Sequence, residues 1–147
     1  MHTITGTTAN ANTIYAQTST FTGLGTENIT IQGESSNTLA VASLNTLNGN
    51  TTGNIDATNV TSLASASISD IKTLLTAGNN STNNFAATSF QSLATVAVSD
   101  TTVSIADLND AIAQANTATG GTTTVFSVAS GATITTGDEA AFSTLLT

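Results

Sequence analysis

Hydrophobic positions along the chain alternate between two periods, and the change from one to the other is clearest in Asn59 to Gly78, NVTSLASASISDIKTLLTAG. Val60 and Leu63 stand in a short Thr/Ser run of the kind that forms strands. Ser67-Ile68-Ser69-Asp70 then carries a helix start signal. The Ser67 hydroxyl can accept from the backbone N–H three residues on, and the Asp70 carboxylate sits in the positive first turn. Ile68, Ile71, Leu74 and Leu75 follow on one helical face, and Gly78 is expected to end the helix in a left-handed conformation. One strand followed by one helix is the unit this stretch predicts.

The same unit can be followed through the rest of the chain. Period-two runs of Thr with Ile or Val occur at His2 to Thr5, Asn28 to Ile31, Val60 to Leu63, Thr95 to Val98 and Thr133 to Thr136. Their starts lie roughly 26 to 38 residues apart, room for a strand, a crossover helix and a return. Helices are predicted over Thr8 to Gln17, with Ala11, Ile14 and Tyr15 inward, and over Leu39 to Leu47, with Ala40, Leu44 and Leu47 at i, i+4, i+7 and Gly49 as the stop. Ser104-x-x-Asp107 repeats the start signal ahead of Ile105, Leu108, Ile112 and Ala115. Asn54 to Ala57 and Thr124 to Val128 add short strands. Thr136-x-x-Glu139 opens a closing helix that carries Phe142, Leu145 and Leu146. The prediction is an α/β fold: one domain over 1–147, a repeat solenoid of short parallel strands alternating with short helices in about four to five units. An all-β helix or sandwich, with the Ser-x-x-Asp segments as turns, is the alternative.

Charge narrows the function classes. Charged residues make up 7% of the chain, against roughly 25% in an ordinary soluble domain. Nine acids face one cation, Lys72, for a net charge of −8. Phosphate backbones need several cations in one place, so no nucleic-acid partner is expected. No window is apolar for long enough to insert in a membrane. Without Cys there is no thiolate metal site. The first residues, MHTITGTTANANTIYAQ, show neither a basic region nor a long apolar run, so a Sec signal is not expected.

Candidate chemistry is sparse. The only imidazole, His2, lies at a chain end, where fraying is normal, and reads as a plain terminal residue rather than a base for one of the many Ser or Thr hydroxyls. Asp107 and Asp110 read as a helix cap and a solvated face rather than an acid/base pair. Lys72 reads as a partner for Asp70 or for solvent. No cofactor is expected. Calcium at Asp107 with Asp110, or at Asp138 with Glu139, is the alternative, although the chain has no calcium-binding nonapeptide and no D-x-D-x-D-G loop. No catalytic, cofactor or metal residue is assigned, and the expectation is a protein that is not an enzyme. Phe142, Leu145 and Leu146 are the candidate subunit-contact residues.

The phrases TGLGTENITIQG, TLAVASLNTLNGNTTGNIDATNVTSL and SDTTVSIADLNDAIAQANTATGG resemble Thr/Asn-rich tandem repeats of marine cyanobacterial surface and secreted proteins and of structural proteins of their phages. The resemblance runs from about Thr3 to Gly121 and carries no catalytic residues. It implies a structural protein of a virion or of an extracellular surface, such as a capsid decoration, appendage or fibre subunit. Its partners would be copies of itself or virion proteins. A secreted surface or filament protein exported without a Sec signal is the first alternative, and a glycan- or ice-binding module the second.

Overall fold

A computed structural model describes residues 2–80 and 84–136. The chain is a mixed α/β protein with parallel sheets and four helices among the described residues. In chain order the elements are β1 (Thr3–Gly6), α1 (Thr8–Ala16), β2 (Asn28–Ile31), β3 (Thr38–Leu39), α2 (Val41–Asn50), β4 (Ile55–Asp56), β5 (Ser62–Ala66) and α3 (Ile68–Asn79). They continue with β6 (Thr95–Val98), β7 (Thr102–Ser104), α4 (Ile105–Ala118), β8 (Val125–Val128) and β9 (Thr133–Thr135). Every strand pair is parallel, in the orders β1-β2-β4, β3-β5-β6-β8 and β7-β9. The α/β class agrees with the hydrophobic pattern, and the helices exclude the all-β alternative.

The five Thr/Ile/Val runs form or overlap strands, but among them only the first pairs with the second and the third with the fourth. Ile29 of β2 lies beside Ile55, not beside Val60, and Leu63 lies between Leu39 and Val96. Val96 in turn pairs with Phe126, while Ile134 pairs with Val103 in a separate sheet. Two-residue strands are responsible: β3 and β4 hold too few residues for an alternating pattern to be visible, yet each supplies the neighbour that a longer run needs.

Each helix packs on the next, α1 on α2, α2 on α3 and α3 on α4. Local signals explain two of the starts. Ser67 and Ser104 accept from the backbone N–H of Asp70 and Asp107, at 3.1 and 3.0 Å, and donate to the same residues' carboxylates. Thr7 caps α1 in the same way through Asn10, whereas Ala40 before α2 offers no side chain for a cap. Helix α2 is held by what it buries: Val41, Leu44 and Leu47 are all inaccessible. On α4 the buried face is Ile105, Leu108, Ala111, Ala115 and Ala118, and Ile112 is only half-buried. Small residues there let α4 lie close to its neighbours.

Two glycines expected to stop helices lie inside them. Helix α2 runs through Gly49 to Asn50, and α3 through Gly78 to Asn79. Gly78 is required by a neighbour rather than by a turn, because a Cβ there would stand 2.6 Å from the buried Phe90 ring. That ring is tilted against Phe85 with centroids 5.1 Å apart. Gly120 and Gly121, with φ of 65° and 93°, follow the end of α4 in the left-handed conformation that closes a helix.

The many Thr and Asn side chains tie one pass of the chain to the next. Thr51 donates to the Glu27 carbonyl at 2.7 Å, Thr124 to the Leu93 carbonyl at 3.0 Å and Ser89 to the Ile55 carbonyl at 2.8 Å. Asn84 donates to the carbonyls of Asn48 and Thr51, and Asn79 to that of Gln114. Short strands leave many carbonyls outside the ladders, and a buried carbonyl without a donor is costly. Amide and hydroxyl groups meet that need without adding charge.

Candidate functional site

The seven described carboxylates, Glu27, Glu34, Asp56, Asp70, Asp100, Asp107 and Asp110, are each bound to a donor. Two cap a helix from a distant part of the chain. Glu34 accepts from the Thr8 N–H and hydroxyl, at 2.6 and 2.8 Å, and Asp100 accepts from the Ile68 N–H at 2.6 Å. A carboxylate at a helix N-terminus meets both the free N–H groups and the positive end of the dipole. This device leaves no mark in a local stretch of sequence.

Glu27 is the buried member of the group. Its carboxylate accepts from the N–H groups of Gly25 and Thr26, at 2.7 and 3.1 Å, and from the Tyr15 hydroxyl at 3.1 Å. The Gly25 N–H, above all, holds its pKa below the ordinary value. Burial pushes the Tyr15 hydroxyl the other way. Gly53 passes so close that a Cβ would stand 2.0 Å from the Glu27 carbonyl oxygen. The cluster fastens α1, β2 and the segment between α2 and β4 together, and its groups are saturated by one another.

Lys72 is paired across helices, not with its neighbour Asp70. Its ammonium lies 2.9 Å from Asp107 and 3.1 Å from Asp110, joining α3 to α4. Those two bonds, the Asp107 bond first, raise its pKa, while the Ser104 hydroxyl and then Lys72 lower that of Asp107. Asp107 therefore combines the expected cap with an ion pair. Among the described residues no three His, Asp or Glu side chains come together, and Asp138 and Glu139 lie outside those residues. His2 is exposed on the segment leading into β1. A groove beside α3, lined by Asn48, Ile68, Lys72, Thr76 and Asp107, and a smaller crevice at the ends of β2 and β3 are the main concavities.

The surface departs most from ordinary where strands run out of neighbours. Inward residues of interior strands are closed off, with Ile29 and Val96 each 1% exposed. On β8, which among the described residues has a strand on one side only, the inward Phe126 and Val128 are only half-buried, and the outward Val125 is 60% exposed. Ile134 on β9 is 42% exposed, and elsewhere among the described residues Phe21 is the one other large apolar side chain so open. The expected contact residues Phe142, Leu145 and Leu146 lie outside the described residues. Alternation marks both strands but not that Val125 lies on the outward face beside Thr95, nor that among the described residues β9, which carries Ile134, has a strand on one side only.

Outward residues of the second sheet form a column in register, Thr38, Ser62, Thr95 and Val125. The Ser62 and Thr95 hydroxyls are hydrogen-bonded to each other. Comparison of the chain with known protein families, with curated proteins and with solved structures finds no match.

Proposed function

We propose that the chain is a non-enzymatic structural subunit whose strands and helices form one solenoid, and that it works by binding other protein subunits on the outside of a particle or cell. The virion is the favoured setting, as a capsid decoration, appendage or fibre component. The observation that carries this reading is the edge at β8, which among the described residues has a strand on one side only and leaves Phe126 and Val128 half-buried where their β6 counterparts Val96 and Val98 are core. Exposed strand edges pair with other chains unless they are blunted by charge or proline. This edge has neither, since the chain contains no Pro and no ionisable side chain between Ala111 and Thr136. The carboxylates further support the reading, because each described one already serves as a cap, a turn or an ion pair.

An antibody against the chain, applied to purified particles, surface material and soluble lysate of the producing culture, tests the setting. Recovery with particles supports the virion reading. Recovery with sheared surface material or medium supports the secreted alternative, and confinement to the soluble lysate overturns both.

The hydroxyl column of Thr38, Ser62 and Thr95 favours glycan or ice binding as a second reading, since parallel pairing spaces such groups about 4.8 Å apart. Thermal hysteresis or glycan-array binding that disappears in Thr95→Leu would establish it, and no activity in either assay would remove it.

A further inference from the structure

We infer that the chain joins to a second copy of itself end to end, the outer edge of β8 in one copy pairing with the outer edge of β1 in the next. This rests on the structural-subunit reading above and names the partner that reading leaves open. Three observations carry it.

The first is that both edges are free. Strand β1 ends the order β1-β2-β4 and β8 ends the order β3-β5-β6-β8, so among the described residues each has a strand on one side only. The unpaired N–H and C=O groups of such an edge are a template for a further strand.

The second is that the two edges match. Both strands have four residues, and both show the same alternation of exposed and half-buried positions. Ile4 on β1 and Phe126 and Val128 on β8 are partly buried side chains packed against the core, each lacking the cover that a neighbouring strand supplies to Ile29, Ile31, Val96 and Val98. Every strand pairing among the described residues is parallel, and an added parallel β1 that sets Thr3 opposite Val125, exposed position against exposed position, places its Ile4 on the same side as Phe126. Because the two surfaces differ, the contact is heterologous and repeats from copy to copy.

The third is charge. A chain of net charge −8 repels its own kind. The acids of the described residues lie between Glu27 and Asp110, and residues before Glu27 and from Ala111 to Thr136 carry none. Asp138 and Glu139 follow outside the described residues. Strands β1 and β8 themselves carry no ionisable side chain, so pairing them sets no acid of one strand opposite an acid of the other.

Sedimentation velocity of the full chain from about 1 µM to 1 mM tests the inference, together with Thr3→Lys and Val125→Lys, which place a charge on an exposed position of either edge. The expected result is a mass that rises with concentration for the natural chain and stays at 14.6 kDa for each variant alone. Mixing the two variants should restore a pair of twice the mass and nothing longer, because one free edge of each kind remains. Circular dichroism of the variants checks that both keep the native fold. A natural chain that stays monomeric throughout, as it would if its own residues 137–147 covered β8, overturns the inference. So does a discrete dimer that survives Thr3→Lys, which would mean like edges meet. A monomeric chain recovered with particles removes this contact and leaves the proposed function standing. A polymerising chain confined to the soluble lysate does the reverse.

Discussion

Strands β6 and β8 are neighbours in one sheet and have nearly the same inward chemistry, Val96 and Val98 in the first and Phe126 and Val128 in the second. In β6 those side chains are closed to solvent, and in β8 they are half open. Composition does not separate them; the number of strands beside them among the described residues does. A fold assembled from parallel passes has an interior in which each strand is covered twice and edges at which it is covered once. The interior sets stability, and the edges are where we propose that another chain binds.

This contrast predicts mutational effects that are large inside and small at the edge. Gly53→Ala should be the most damaging single change, costing about 3 kcal/mol or more, because its Cβ meets the Glu27 carbonyl at 2.0 Å and a backbone atom cannot rotate away. Urea unfolding gives the value, and a loss below about 0.5 kcal/mol would show that the passes are not in close contact there.

Glu27→Ala should cost about 3 kcal/mol by leaving two N–H groups and the Tyr15 hydroxyl without their acceptor. The same group gives a pH test. Its folded pKa is lowered, so its contribution is complete above the unfolded carboxylate pKa and is lost as pH falls through the folded value. Thermal melts should therefore show a steeper acid limb for the natural chain than for Glu27→Gln, and superimposable limbs would remove the claim.

Gly78→Ala sets helix propensity against packing. Alanine is better by about 1 kcal/mol in a helix interior, but here it meets the Phe90 ring at 2.6 Å, and overpacking of this kind costs about 1–3 kcal/mol, so net destabilisation is expected. A stabilised variant would show that Gly78 is a helix position like any other.

Lys72→Met should cost under about 1 kcal/mol, since both carboxylate partners are well exposed and solvent screens them. The raised pKa of Lys72 places that small contribution below its ordinary value and removes it as pH rises through the folded value. Smallest of all, Val125→Lys should change monomer stability by no more than about 0.5 kcal/mol, because the side chain is 60% exposed.

How legible the fold was in the sequence follows the same division between local and distant signals. Helices α3 and α4 could be placed from Ser67 with Asp70 and from Ser104 with Asp107, because cap and carboxylate lie within one turn. Strands β2 and β6 are legible in the sequence as alternating runs with the ends they have in the structure, Asn28–Ile31 and Thr95–Val98. The two-residue strands are too short to show a period, so the pairing order they complete is visible only in the folded chain. Glu34 and Asp100 cap helices whose N-termini lie 26 and 32 residues away, a relation only the folded chain reveals. Gly78 looked like a stop because a glycine after an apolar face usually is one, and the Phe90 ring that requires it is distant in sequence. For the candidate site, the sequence directed attention to Phe142, Leu145 and Leu146. The structure adds Val125, on the outward face beside Thr95, and Ile134, on a strand with one neighbour among the described residues, and both placements belong to the sheet and not to the residues.

Amide hydrogen exchange at low and at high protein concentration tests the contrast between covered and uncovered strands most directly. Amides of β2 and β6 should be strongly protected at both concentrations. Those of β1 and β8 should exchange quickly in dilute solution and slow together as copies associate. Exchange at β1 and β8 that is as slow as in β6 when dilute, or that does not change with concentration, would contradict the account.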